Sequence, residues 1–115
     1  MPRLRASPES RRFGIYLGRV LRAQRKRRGI KAHAVAEDVG VAHQTVSAWE
    51  TGKMVPELRS LFTACQAIGV PTWRVIALAE RAYKMDQTMT KEAEMHGPAD
   101  EWRTLPSRKK THAQA

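Results

Sequence analysis

Between Ala32 and Glu50 the chain reads AHAVAEDVGVAHQTVSAWE, two short apolar-periodic stretches on either side of a glycine. No other segment constrains the fold as tightly. Val35, Ala36 and Val39 recur at helical spacing in the first stretch, which predicts a helix over Ala32 to Val39, and Gly40 then permits a sharp turn with φ above zero. In the second stretch Val41, Val46 and Trp49 return to one side at 3.6 residues per turn, while the other side carries His43, Gln44, Ser47 and Ala48. A helix from His43 to Glu50 with a tryptophan-anchored side and a side of short side chains plus one amide is suited to lying against something wide and flat.

The rest of the chain supplies a scaffold for that pair. Ser7-Pro8-Glu9 reads as a helix start, with Ser7 accepting a backbone hydrogen bond, Pro8 pre-set in helical φ and Glu9 near the positive dipole end. The first helix is expected from Pro8 to about Arg28, ended by Gly29. Its buried stripe is Phe13, Leu17, Val20 and Leu21, with Arg12, Arg19, Arg22 and Lys26 elsewhere on its surface. After a Thr51-Gly52-Lys53 turn, Pro56 reads as a first helical position, and Leu58, Leu61, Phe62, Cys65 and Ile68 recur until Gly69. Thr72 is placed as the cap of a fifth helix whose inward residues are Val75, Ile76 and Ala79. Met85, Met89, Glu92 and Met95 give a fainter helical period over 85–96. From Gly97 the composition turns to Pro, Thr, Ser, Ala and charge, which predicts a mobile tail. The expected organisation is a basic arm over 1–6, one domain over 7–84, a helical extension over 85–96 and a tail over 97–115. With no useful period-2 pattern and no internal repeat, the fold class is all-α.

Charge narrows the partners. Residues 1 to 31 hold Arg3, Arg5, Arg11, Arg12, Arg19, Arg22, Arg25, Lys26, Arg27, Arg28 and Lys31 against Glu9 alone, so the whole net charge of +10 sits there and the remainder is neutral. Surplus charge concentrated in one arm and one helix fits a polyanion, and nucleic acid leads. An anionic membrane is the competing surface, disfavoured by the modest apolar bulk of the basic helix. No run of about 18 apolar residues is present and the N-terminus lacks the apolar core of a secretory signal, so a cytoplasmic location, on the nucleoid when bound to DNA, is expected. Cys65 is the single cysteine, which excludes an internal disulfide and a cysteine zinc cluster. His33, His43, His96 and His112 lack ligand spacing, so neither metal nor cofactor is expected. His43, Thr45 and Ser47 have no carboxylate to orient the histidine, and no enzyme is predicted.

Two short helices joined at a glycine have helix-turn-helix spacing. Small Ala36 at the crossing, Gly40 in the turn, and apolar Val35, Val39, Val41, Val46 and Trp49 occupy the offsets such a pair needs, followed by Glu50-Thr51-Gly52-Lys53 and Pro56. On these residues the chain, from 13 to about 80, resembles the Cro/repressor-type (Xre family) helix-turn-helix domain of bacteria and their phages. The resemblance implies a five-helix, lambda-repressor-like domain binding DNA as a homodimer, with the helix from His43 in the major groove. It also implies a buried pair between Arg25 and Glu50, and a twofold contact near Trp73, which otherwise reads as core.

A major groove about 12 Å wide admits a helix whose outward residues are small or able to bond base edges. Gln44 is the expected base reader, since its amide can serve adenine N7 and N6 together. His43, Ser47 and Ala48 lie beside it, Ala48 offering a methyl to thymine. Lys31, Thr45, Lys53, Arg22 and Thr51, with the backbone around Thr51 and Gly52, are the expected phosphate contacts, and Arg3 and Arg5 read equally as an arm for the backbone or a minor groove and as a solvated, untethered arm. Three departures from the family pattern stand out. Lys31 and Ala32 occupy the usual Ser or Thr and Gln positions, Ala42 replaces a capping Ser or Thr, and Gln24 replaces an apolar core residue. Helix 3 is therefore expected to fray more than usual. Trp49 and Cys65 read as core; Met85, Met89 and Met95 read as filler against helix 5 or as a protein-contact stripe. The expected function is a dimeric, sequence-specific repressor on a palindromic operator. The alternatives are an antitoxin that autoregulates its promoter and binds a toxin through the segment after Met85, and a coactivator-like adaptor with little sequence preference.

Overall fold

The structure is a computed structural model and describes residues 7–95. It holds five helices, α1 (Pro8–Arg27), α2 (Ala32–Val39), α3 (His43–Glu50), α4 (Leu58–Ile68) and α5 (Thr72–Met95), with no strand among the described residues. The chain divides into two units at Tyr83, so α5 belongs to the first unit as far as Tyr83 and to the second beyond it. Arg3, Arg5 and the tail from Gly97 lie outside the described residues.

The helix ends follow local chemistry. Ser7 accepts the Ser10 N–H at 3.1 Å, Pro8 and Glu9 open α1, and Arg25, Lys26 and Arg27 fill its last turn, where cations meet the negative end of the helix dipole. Gly40 stands at φ 85°, and the N–H groups of Gly40 and Val41 both donate to the Ala36 carbonyl, at 2.8 and 3.0 Å. A β carbon is disfavoured in that left-handed conformation, which is why the turn between α2 and α3 needs glycine.

In the first unit α1 packs on α3 and α4, and α2 packs on α3 and α4. The buried core runs from Leu17 and Leu21 through Val35, Ala36, Val46 and Trp49 to Leu61, Ala64, Cys65, Ile68, Val70, Val75 and Ala79. Each large aliphatic side chain removed from water in this way contributes about 1.5–3 kcal/mol. Tyr83 closes the unit on α1, its ring meeting Phe13 and Tyr16 edge-on at 6.4 and 6.1 Å.

Three expectations about α4 and α5 are corrected. Pro56 is buried ahead of α4 instead of opening it, and the backbone is still extended at Glu57, whose carbonyl takes the Leu61 N–H at 2.9 Å. Leu58 and Phe62 are exposed, because the buried stripe Leu61, Ala64, Cys65 and Ile68 is centred away from them and they flank it. Thr72 is the first residue of α5 and not its cap; the Pro71 carbonyl takes the Arg74 and Val75 N–H groups.

In the second unit, residues 84–95 are helical, with Thr88 Oγ1 donating to the Lys84 carbonyl at 3.0 Å. Met85, Met89 and Met95 are on α5 itself, not packed against it as filler, and all three are exposed. Among the described residues no single helix is long and apolar enough to cross a membrane, and no three His, Cys, Asp or Glu side chains gather as metal ligands.

Candidate nucleic-acid interface

α3 is divided lengthwise. At 100° per residue, Thr45, Trp49, Val46 and Glu50 occupy one arc, and His43, Ser47, Gln44 and Ala48 the other. Val46, Trp49 and Glu50 are buried, Thr45 is half-buried at the edge of their arc, and His43, Gln44 and Ser47 are exposed with Ala48 half-exposed beside them. All four expected base readers therefore share one uncovered face, and the side chain of Trp49 anchors the helix from behind.

The C-terminal end of α3 is held by three devices. Arg25 Nε donates to Glu50 Oε2 at 2.7 Å and Arg25 Nη2 to Glu50 Oε1 at 2.9 Å, a two-point fork, while Arg25 Nη1 donates to the Ile30 carbonyl at 2.8 Å. One guanidinium thus ties the end of α1, the lead into α2 and the end of α3 together. The Glu50 hydrogen bond pushes the Arg25 guanidinium further toward its charged form, and this outweighs the opposing cost of burial. No buried side-chain polar atom among the described residues lacks a hydrogen-bond partner.

The second device is a close approach of α1 that sequence reading missed. A β carbon on Gly18 would run into the Trp49 carbonyl oxygen and would sit 3.1 Å from the Glu50 carbonyl group. Gly14, four residues earlier on the same side, lies against Val55, whose Cγ2 would be 2.6 Å from such a carbon. The signal was legible: two glycines four apart inside a helix each forgo about 1 kcal/mol of helix propensity, which needs a reason such as a neighbouring backbone.

The third device is the turn after α3. Thr51 N–H donates to the Ser47 carbonyl at 3.0 Å, Gly52 N–H to Trp49 at 3.2 Å, and Lys53 and Met54 N–H to Ala48 at 2.9 and 3.2 Å. Thr51 Oγ1 also donates inward, to the Ser47 carbonyl at 3.0 Å. Thr51 and the backbone around Thr51 and Gly52 were expected to grip phosphate. They satisfy orphan carbonyls at the negative end of a helix, so their protons are spent within the chain. Lys53 keeps an exposed side chain there, as do Arg22 on α1 and Lys31 ahead of α2.

At the other end of α3 the flanking residue is Ala42, with no side-chain cap, and Lys31 stands in the same position ahead of α2 without one. Gln24 is half-buried and accepts from Arg28 Nη1 at 2.6 Å, so the amide in the family's apolar position is paired at the surface side of α1. Trp73 is 70% exposed, which excludes the core reading for it.

With this geometry in place, the chain can be set beside known proteins. Among curated protein sequences none matches it. Two crystal structures of the clp gene regulator ClgR from Corynebacterium glutamicum are similar to it: one at 26% identity and TM-score 0.58 over 61% of this chain and 91% of that one, the other at 21% identity and TM-score 0.67 over 83% and 96%. The restriction-modification controller protein C.AhdI from Aeromonas hydrophila shares the fold at 21% identity and TM-score 0.51, over 55% of this chain and 94% of its own. The family described as helix-turn-helix domain matches residues 16–93, from the middle of α1 almost to the end of α5. Its match spans the glycine-joined pair α2–α3 with the scaffold that holds it, and this chain belongs to that helix-turn-helix family.

Proposed function

We propose that the protein is a DNA-binding transcriptional regulator that reads duplex DNA with the outer face of α3. The observation that carries this is the lengthwise division of that helix: His43, Gln44 and Ser47 exposed on one arc, Val46 and Trp49 buried on the other. A helix anchored by its apolar arc and presenting short polar residues outward can enter a major groove without steric conflict. The gene-regulator and controller-protein descriptions of the structural neighbours support the same reading.

In this reading Gln44 pairs with an adenine edge, His43 and Ser47 reach adjacent bases, and Ala48 meets a thymine methyl. Lys31, Lys53, Arg22 and the half-buried Thr45 contact phosphate and set the register; Arg3 and Arg5 extend the contact along the duplex. Thr51 serves the helix end, its hydroxyl proton already committed. Two copies, joined near the exposed indole of Trp73, present two α3 helices about 34 Å apart to related half-sites, and occupancy excludes polymerase.

Selection of bound sites from a random duplex library tests the proposal. A shared, palindromic motif is the expected result; bound duplexes without a motif would overturn sequence-specific reading. On a selected site, Gln44→Ala should weaken binding by about 1–3 kcal/mol and relax preference at one base position, with thermal stability unchanged. Equal losses on the selected site and on random duplex would remove Gln44 from the base-reading set.

A further inference from the structure

The scaffold helix carries a charged row that the recognition helix does not explain. Ile15, Arg19, Arg22 and Lys26 follow one another in α1 at steps of four, three and four residues, so their side chains leave the helix on one side. Contacts on the same part of α1 fix where that side points. A β carbon on Gly52 would lie 2.8 Å from Ile15 Cγ1 and 3.1 Å from Ile15 Cα, so the row begins against the turn that leaves α3. Arg22 stands four residues after Gly18 and three before Arg25, the two positions at which α1 meets the ends of Trp49 and Glu50. The row therefore runs beside the C-terminal end of α3, the end away from His43 and Gln44.

Arg19, Arg22 and Lys26 are all exposed, and neither Arg22 nor Lys26 has a carboxylate partner among the described residues. Arg19 is laid over the Tyr16 ring, its guanidinium carbon 5.2 Å from the ring centre, which holds it close to the helix. Like charges three and four residues apart weaken an isolated helix, so the row carries an internal repulsion that a polyanion relieves. From Arg19 to Lys26 the helix rises about 10 Å, which is about the axial length of three base steps on one strand of B-form DNA.

We infer that Arg19, Arg22 and Lys26 form a second phosphate-contacting element, lying along one backbone strand beside the C-terminal end of α3. This rests on the major-groove reading above for the placement of the duplex. It assigns to α1 a sequence-independent share of affinity that is distinct from the base contacts of α3. Arg22 is already among the expected phosphate contacts; Arg19 and Lys26 are added to it by their place on the same side of α1.

The test is the salt dependence of duplex binding by the full chain, measured on a library-selected duplex and on a scrambled duplex of equal length. The triple variant Arg19→Gln, Arg22→Gln, Lys26→Gln should lose affinity by the same factor on both duplexes. Its slope of log affinity against log salt should fall by about two to three, at about 0.9 per phosphate contact removed. The charge-keeping variant Arg19→Lys, Arg22→Lys, Lys26→Arg should retain the slope. A control, Arg74→Gln with Arg81→Gln, removes two exposed cations from α5 and should leave the slope nearly as in the parent. Melting without DNA should change little for the triple variant, because the repulsion its helix loses offsets the loss of the Arg19 contact with the Tyr16 ring.

A selected motif retained with a slope no lower than that of the control overturns the row and leaves the reading of α3 intact. A slope that falls as expected while the library yields no motif supports the row as a phosphate surface and overturns the base-reading proposal. Loss confined to the selected duplex would also overturn the row, since phosphate contacts do not distinguish sequences.

Discussion

The two ends of α3 are held in different ways. At its C-terminal end the Arg25–Glu50 fork, the Gly18 approach and the turn amides of Thr51, Gly52 and Lys53 converge on one helical turn. At its N-terminal end Ala42 supplies no side-chain cap, and the Thr45 N–H finds the Ala42 carbonyl at 2.9 Å. An eight-residue helix has little stability of its own, so its orientation is set by whatever grips it. Here the grip is at the far end from His43 and Gln44. His43 and Gln44 sit on the end whose flanking residue supplies no side-chain cap, and the scaffold sets the angle at which they are offered.

The largest expected effect comes from breaking the grip. Both side chains of the fork are largely buried, with relative exposures of 12% for Arg25 and 7% for Glu50. Glu50→Ala strands a buried guanidinium, and urea or thermal unfolding should register a loss of about 3–5 kcal/mol. The double variant Arg25→Met with Glu50→Met removes both charges and should lose less than Glu50→Ala alone. If the double variant lost as much as Glu50→Ala or more, the loss would not come from a stranded charge, and the fork would not account for the contrast between the two ends.

A smaller effect separates the two glycines of α1. Either change to alanine gains about 1 kcal/mol of helix propensity. At Gly18 the new carbon meets the backbone of Trp49 and Glu50, which cannot rotate away, and overpacking of about 1–3 kcal/mol should leave Gly18→Ala less stable than the parent. At Gly14 it meets the Val55 side chain, which is 54% exposed and free to turn, so Gly14→Ala should be neutral or stabilising. A loss at Gly18 with no loss at Gly14 in parallel melts is the expected outcome. Equal losses at both positions would place the close approach along the whole helix and not at the end of α3.

These particulars show which parts of the molecule were legible in advance. α2 and α3 appear with the bounds read from Gly40 and the valine and tryptophan spacing, because those signals are local: a glycine in a left-handed turn and an apolar stripe at helical period. The start of α1 was equally local, set by Ser7, Pro8 and Glu9. Leu58 and Phe62 were misplaced because period alone does not say where a neighbouring helix is centred, and α4 turns Leu61 and Cys65 inward instead. Pro56 and Thr72 were given helix-start roles that local chemistry allows, but Pro56 is buried ahead of α4 and Thr72 stands inside the first turn of α5. The amides after α3 bond the last carbonyls of that helix, a partnership that residue types alone do not reveal. The basic row on α1 was visible as charge but not as a direction, which only the Ile15–Gly52 and Gly18–Trp49 contacts supply.

The smallest predicted effect bears on the loose end. Ala42 already holds the extended backbone of a capping residue, at φ −70° and ψ 151°, so Ala42→Ser places a hydroxyl where it can accept the Gln44 or Thr45 N–H with no rearrangement. The free protein should gain about 0.5–1 kcal/mol, and hydrogen exchange at His43, Gln44 and Thr45 should slow relative to Val46 and Trp49. Because a phosphate at the same helix start would compete for those amides, duplex affinity should not rise with stability. Exchange at His43 and Gln44 that is already as slow as at Trp49 in the parent would mean that the grip at Glu50 governs the whole of α3, and that the difference between its ends has no energetic content.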